Sequence, residues 1–364
     1  MSLTTDAIRA LPKVVLHDHL DGGLRPATLI ELAQDIDYAL PSTDPDELAR
    51  IFVDNADSGD LVRYLEAFAH TTAVMQTREN LIRVAREAVV DHARDGVIYV
   101  ELRYAPEQHL QQGLSLKEVV DAVHEGIQEG IAQAAEEGFG IRAAALLCAM
   151  RHLDRSTEIA QLVLDNRGEG CVGFDIAGPE FGFPPTQHAQ AFALLRDHHV
   201  PVTIHAGEAD GVASISAALG VGAARRIGHG VRLHEDIEGF GGDEPRLGEV
   251  AQYVMDQQIP LECCPTSNVQ TGVAESVALH PMHELRDLGF AVTVNTDNRL
   301  VSGVSMVSEF EALAAVGWTE EDFFEATLVA AWGAFLPYHE RAELAEAVID
   351  GYGAPADEPR TLNA

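Results

Sequence analysis

The chain has 364 residues, 46% of them hydrophobic, enough to bury one barrel-sized core or two smaller ones. A formal net charge of -34 and a pI near 4.6 argue against nucleic acid or an anionic membrane as partner, because both repel such a surface. No apolar run reaches membrane-spanning length, Met1 to Arg9 carries no signal-peptide apolar region, and Cys148, Cys171, Cys263 and Cys264 form no C-x-x-C pair, so a cytoplasmic location with reduced thiols is expected.

The first strand is Val14-Val15-Leu16-His17-Asp18-His19-Leu20-Asp21-Gly22, apolar at its start and polar at its carboxyl end. Side chains alternate along a strand, so His17 and His19 project to one side, about 6.6 Å apart. That spacing suits zinc or another borderline divalent ion, provided later strands bring further ligands. Two histidines ending a core strand can equally be satisfied core residues, so the rest of the chain decides. A helical insertion from about 24 to 94 follows. One helix starts at Pro26, another opens at Asp44 and Pro45, and residues 78–93 show apolar spacing of three and four. Leu61, Leu65 and Phe68 either cover a barrel mouth or pack as ordinary core.

From Gly96 onward strands and helices alternate. Strands are predicted at 97–104, 141–150, 172–178, 202–208, 226–230, 260–264 and 291–296, with helices at 115–137, 156–166, 186–199 and 214–219 among them. With the first strand this makes eight, the rhythm of an α/β (β/α)8 TIM barrel with extra helices after strand 1 and at the C-terminus. Residues 1–350 read as a single barrel domain and 351–364 as a polar, mobile tail. In such barrels catalytic groups sit at the carboxyl ends of the strands, which is where His17, His19, Gly178, His205, Glu208, His229 and Asp297 fall. His198, His199, His280 and His283 lie on predicted helices or loops and are expected at the surface.

His17, His19, His205 and Asp297 together offer three nitrogens and one oxygen to a single zinc, with room for a water. Zinc lowers the pKa of a bound water from 15.7 to about 7. Glu208, three residues after His205, would stand beside the metal as a proton donor.

These residues resemble the adenosine deaminase family of amidohydrolases. The matching segments are His17-Asp18-His19-Leu20-Asp21-Gly22, Asp175-Ile176-Ala177-Gly178-Pro179-Glu180, His205-Ala206-Gly207-Glu208, Ile227-Gly228-His229-Gly230, Cys264-Pro265-Thr266-Ser267-Asn268 and Asn295-Thr296-Asp297. The resemblance implies attack of a zinc-activated hydroxide on C6 of a purine nucleoside, with loss of ammonia. It implies that Glu208 protonates N1, that His229 orients the attacking oxygen, and that Asp297 both ligates zinc and accepts a hydrogen bond from it. The Gly178 N–H would meet N3, and His19 and Asp21 would face the ribose. One position departs from the family: Asn298 stands where a second aspartate is usual. Asparagine donates from its NH₂ without titrating, so Asn298 is expected to donate to N7; the other reading is a cap on the following turn.

Three alternatives stay open. A dinuclear amidohydrolase would want a bridging carboxylated lysine, and no lysine follows Lys117, although Glu180 is a conceivable bridge. Deaminases of adenine, N6-methyl-AMP or aminodeoxyfutalosine share many of these motifs; a phosphorylated substrate would call on Arg25, Arg103, Arg151 or Arg299. A non-catalytic relative is the third class. Oligomeric state cannot be read from the sequence.

Overall fold

Short apolar runs separated by amphipathic helices become eight parallel strands. In the computed structural model, which describes residues 3–353, they are β1 Lys13–His19, β2 Val97–Tyr104, β3 Arg142–Met150, β4 Cys171–Ala177, β5 Thr203–Ala206, β6 Arg226–His229, β7 Leu261–Cys263 and β8 Val292–Val294. β1, β5, β6, β7 and β8 are buried at every residue. A parallel strand with helices on one face and the barrel interior on the other has no wet side, hence the continuous apolar runs.

The strands form two four-stranded sheets, β1-β2-β3-β4 and β5-β6-β7-β8. Single parallel bridges join them at both seams, Phe174 with Val202 and Asp18 with Asp297. At the second seam His19 N–H donates to Asp297 O at 2.7 Å and Asp297 N–H to His17 O at 2.9 Å. Asn295 reinforces it: its Oδ1 accepts from the N–H groups of Leu16 and His17, and its Nδ2 donates to Cys263 O. The ring is the expected (β/α)8 barrel, and the β8–β1 seam brings Asp297 beside His17 and His19.

Helices Pro26–Asp35, Pro45–Ala56, Leu61–Leu65, Phe68–Val74 and Arg78–Arg94 fill the insertion, the second opened by Asp44 accepting from Glu47 N–H. Helices Met306–Ala315, Glu320–Gly333 and Tyr338–Gly351 close the chain. The last one runs through Gly351, the first residue of the expected tail; residues 354–364 lie outside the described residues. Among the described residues no helix is long and apolar enough to cross a membrane. The helix Thr5–Ala10 and the antiparallel pairing of Ile237–Glu238 with Arg246–Leu247 are unforeseen, being too short to show a period. β5 ends earlier than predicted, because Gly207 (φ 75°) takes a left-handed conformation that leaves the strand path, and β8 stops at Val294, two residues before the predicted end.

The barrel interior holds paired charge. Arg103 donates to Asp175 and to Glu262, each at 2.8 Å, while Arg226 donates to Glu101 at 2.6 Å and to Glu262 at 2.5 Å. Fully buried ions persist only when matched in this way.

Candidate metal centre

β1 places His17 and His19 on one face at its carboxyl end, β5 carries His205 one residue before its end, and Asp297 follows β8; the ligand atoms of these four residues all lie within 4.8 Å of one another. His19 Nε2 stands 3.1 Å from His205 Nε2, and Asp297 Oδ1 stands 3.4 Å from His17 Nε2 and 3.5 Å from His19 Nε2. Donors about 2.0–2.2 Å from a tetrahedral zinc are ~3.3 Å from each other, so these are the edges of a coordination polyhedron. The outward nitrogens are already engaged. Glu262 Oε2 lies 3.0 Å from His17 Nδ1, and Asp175 Oδ2 lies 2.9 Å from His205 Nδ1. That leaves the Nε2 atoms of His17 and His205 facing inward, and His17 Nε2 is buried with no hydrogen-bond partner. A buried orphan among lone pairs fits a cation and fits a merely structural cluster poorly. Ser267 Oγ donates to Asp297 Oδ2 at 2.5 Å and orients the carboxylate. Asp18, between the two histidines, faces the other way onto Thr296, His92 and Arg299; burial alone would raise its pKa, but Arg299 and His92 hold it down at about 2.

Beside the cluster, His229 Nε2 is 3.6 Å from Glu208 Oε2, and both side chains are buried. Burial, with the charges of Asp297 and Glu180 adding, holds the Glu208 carboxyl well above the usual carboxylate range, the direction that favours its protonated form. His229 and Asp297 both adopt positive φ, 62° and 58°. Such strain in non-glycine residues costs about 1–3 kcal/mol each and persists where surrounding structure imposes it. Glu180 does not bridge metals. Its carboxylate accepts the backbone N–H groups of Gly207, Glu208, Ala209 and Asp210 at 2.7–3.0 Å, which leaves it no role as a ligand.

On the substrate side, Asp21 is buried, with its Oδ1 unpartnered and 3.9 Å from His19 Nδ1, and burial raises its pKa to about 7. Gly178 ends β4 at φ 100°, a conformation that a side chain strains to adopt. Asn298 is the N-cap residue of the turn Arg299–Ser302 but makes no side-chain cap bond; its Nδ2 donates to Tyr64 Oη at 2.9 Å instead. Tyr64 Oη also bonds Ser302 Oγ, and the Phe68 ring meets the His19 ring edge-on at 6.2 Å. These two insertion helices therefore lie against the site as well as packing on the core.

Some expectations are corrected. His280 is buried and bonds Asn268, and His283 is half-buried, accepting from Trp318 Nε1, so neither is a surface residue; His198 and His199 are exposed. All four cysteines are free and buried, as expected, yet Cys264 stands with His229 and Asp297 in a second tight group. Burial and the Asp297 charge push the Cys264 thiol up, away from the thiolate a metal needs. Glu262 was overlooked, although a lone carboxylate in the apolar run 260–264 is costly unless something nearby uses it. Ser267, Asn268 and Tyr64 left no such signal.

The sequence model of the family described as Adenosine deaminase matches residues 12–351. Adenosine deaminase 1 of Streptomyces coelicolor is 54% identical over 346 residues, covering 94% of this chain and 87% of that protein. Adenosine deaminase of Mycolicibacterium vanbaalenii is 50% identical over 95% of this chain and 96% of its own. Among solved structures, adenine deaminase from Arthrobacter aurescens superposes with a TM-score of 0.80 at 26% identity, covering 95% of this chain and all of that one.

Proposed function

This chain belongs to the adenosine deaminase family, and from that premise we propose that one zinc ion held by His17, His19, His205 and Asp297 serves hydrolytic deamination of adenosine and 2'-deoxyadenosine to inosine, 2'-deoxyinosine and ammonia. The chain is a hydrolase of the C–N bond, acting on adenosine. The observation that carries the site assignment is the convergence of three imidazole nitrogens and a carboxylate beside a buried carboxyl whose pKa is raised by its surroundings. Bound zinc supplies Lewis acidity, bringing the pKa of water from 15.7 to about 7.

The chain's own residues do the rest. Glu208 gives its proton to purine N1, which draws electron density from C6 as the water oxygen attacks there. His229 orients that oxygen and stabilises its charge, and Asp297 accepts a hydrogen bond from it. N1 keeps its proton; of the two protons of the water, one restores Glu208 and the other goes to the departing amine, so the oxygen stays on C6 as a carbonyl and ammonia leaves. Gly178 N–H meets N3, and Asn298 donates to N7. Asp21, whose buried Oδ1 has no partner, and His19 face the ribose, which favours a nucleoside over bare adenine. Phe68 and the insertion helices limit water at the site.

A phosphorylated substrate is disfavoured because the arginines that would hold its phosphate are tied elsewhere. Arg25 pairs with Asp91, Arg103 with Asp175 and Glu262, Arg151 with the carbonyls of Phe183 and His205, and Arg299 with Asp18. Residues 1–350 as one barrel domain, and a cytoplasmic location in keeping with four reduced thiols, belong to the same proposal. The test is ultraviolet difference spectra with adenosine, 2'-deoxyadenosine, adenine, AMP, N6-methyl-AMP and aminodeoxyfutalosine. Preferential conversion of the two nucleosides is expected; faster conversion of another compound reassigns the substrate.

A further inference from the structure

Behind His229, away from the ligand cluster, a line of buried polar groups has donor and acceptor roles that follow from backbone amides. Met282 N–H donates to His280 Nδ1 at 3.0 Å. A backbone amide only donates, so Nδ1 holds a lone pair and the neutral ring carries its hydrogen on Nε2. Burial holds the His280 pKa down at about 3, which keeps the ring neutral. His280 Nε2 then donates to Asn268 Oδ1 at 3.2 Å, and Cys264 N–H donates to the same atom at 3.1 Å. Two donors converging on one atom identify it as the amide oxygen and remove the usual ambiguity of an amide flip. Asn268 Nδ2 therefore donates to His229 Nδ1 at 3.1 Å. A neutral imidazole that accepts at Nδ1 carries its hydrogen on Nε2, the nitrogen that faces Glu208 and the site.

We propose that Asn268 and His280 are positioning residues that set the tautomer of His229, so that it meets the attacking water with an N–H and not with a lone pair. This rests on the deaminase reading of the site. The consequence is chemical: with Nε2 protonated, His229 can orient the water and stabilise negative charge on it, but cannot take its proton. The opposite tautomer would turn the same ring into a base competing for that proton. The line runs from the Met282 amide, at the start of helix Met282–Asp287, through two side chains, His280 and Asn268, to His229, so an element with no substrate contact holds a group in the site.

The experiment is long-range ¹H–¹⁵N correlation of the zinc-loaded protein labelled in its histidine rings, with the His229 signal identified by its loss in His229→Gln. Wild type is expected to show a protonated Nε2 and an unprotonated Nδ1. Asn268→Asp replaces the donor by a carboxylate that accepts, so the hydrogen should move to Nδ1. Its kcat should fall roughly 10²-fold, with KM changed less than about threefold and zinc content unchanged. Asn268→Ser covers the case of a misfolded Asn268→Asp, since its hydroxyl can donate or accept and should give mixed tautomers. A wild-type His229 protonated on Nδ1, tautomers unmoved by both substitutions, or a moved tautomer with unchanged kcat would each overturn the proposal. Failure of the deaminase reading would show separately, as a wild type that turns over no 6-aminopurine while the tautomer result stands.

Discussion

Glu180 accepts the backbone N–H of Glu208 at 3.0 Å, and at the same time those of Gly207, Ala209 and Asp210. One carboxylate thus fixes the turn from which Glu208 projects, without touching its side chain. Charge-assisted hydrogen bonds are the strong kind, and four on one buried group make the turn rigid. In Glu180→Gln an NH₂ faces N–H donors. That variant should lose about 2–4 kcal/mol of stability to urea and at least tenfold in kcat, with zinc content unchanged. Retention of both within twofold would show that the turn holds itself.

Glu208→Gln keeps shape and hydrogen bonding but cannot release a proton. The expected loss in kcat is about 10²–10⁴-fold, with normal zinc content and melting temperature. Near-wild-type turnover would sink the proton-donor role, whereas loss of zinc would mean that Glu208 is a ligand.

Asn298→Asp should work at low pH and fail as pH rises. A buried carboxyl beside Asp297 has a raised pKa, and while protonated it can still donate to N7; once ionised it cannot. The kcat/KM profile should gain a fall of about tenfold or more toward high pH that wild type lacks. A profile superimposable on wild type would mean that residue 298 does not contact the base.

Glu309 gives a stability test outside the four-residue cluster. Burial raises its pKa from 4.5 to about 8, its Oε1 has no partner, and its Oε2 accepts from Thr266 N–H at 3.3 Å. Between those two values the unfolded chain has lost the proton and the folded chain keeps it, so its contribution to stability falls with rising pH and levels off above 8. Glu309→Gln removes this term. Relative to wild type it should gain on the order of 3 kcal/mol in urea unfolding between pH 5 and pH 8. A pH-independent difference would show that Glu309 is ionised in the folded protein.

The barrel and the clustering of His17, His19, His205 and Asp297 were legible because each of these residues lies at the polar end of an apolar run, and the alternation from Gly96 onward leaves little choice of topology. What supports them was harder to see. Asn268 and His280 are twelve residues apart, in a short helix and after a 3₁₀ turn, and only the packed fold brings His280 Nε2 to Asn268 Oδ1. His280 looked like a surface residue because no period marks residues 271–281. Tyr64 stands among the apolar residues of the insertion with nothing to single it out, and its hydroxyl meets Asn298 across 234 residues of sequence, a contact that no local pattern encodes. Glu262 is the intermediate case: an ionisable residue inside a core strand announces a partner, but not that the partner is the ring of His17.

The most direct test of the whole account is a titration of zinc into chelator-stripped protein while the ultraviolet absorbance change of adenosine is followed. His17, His19, His205 and Asp297 form one site, so the rate should rise from near zero in a straight line and break at one zinc per chain. A break at two per chain, or full activity in the stripped protein, would contradict it.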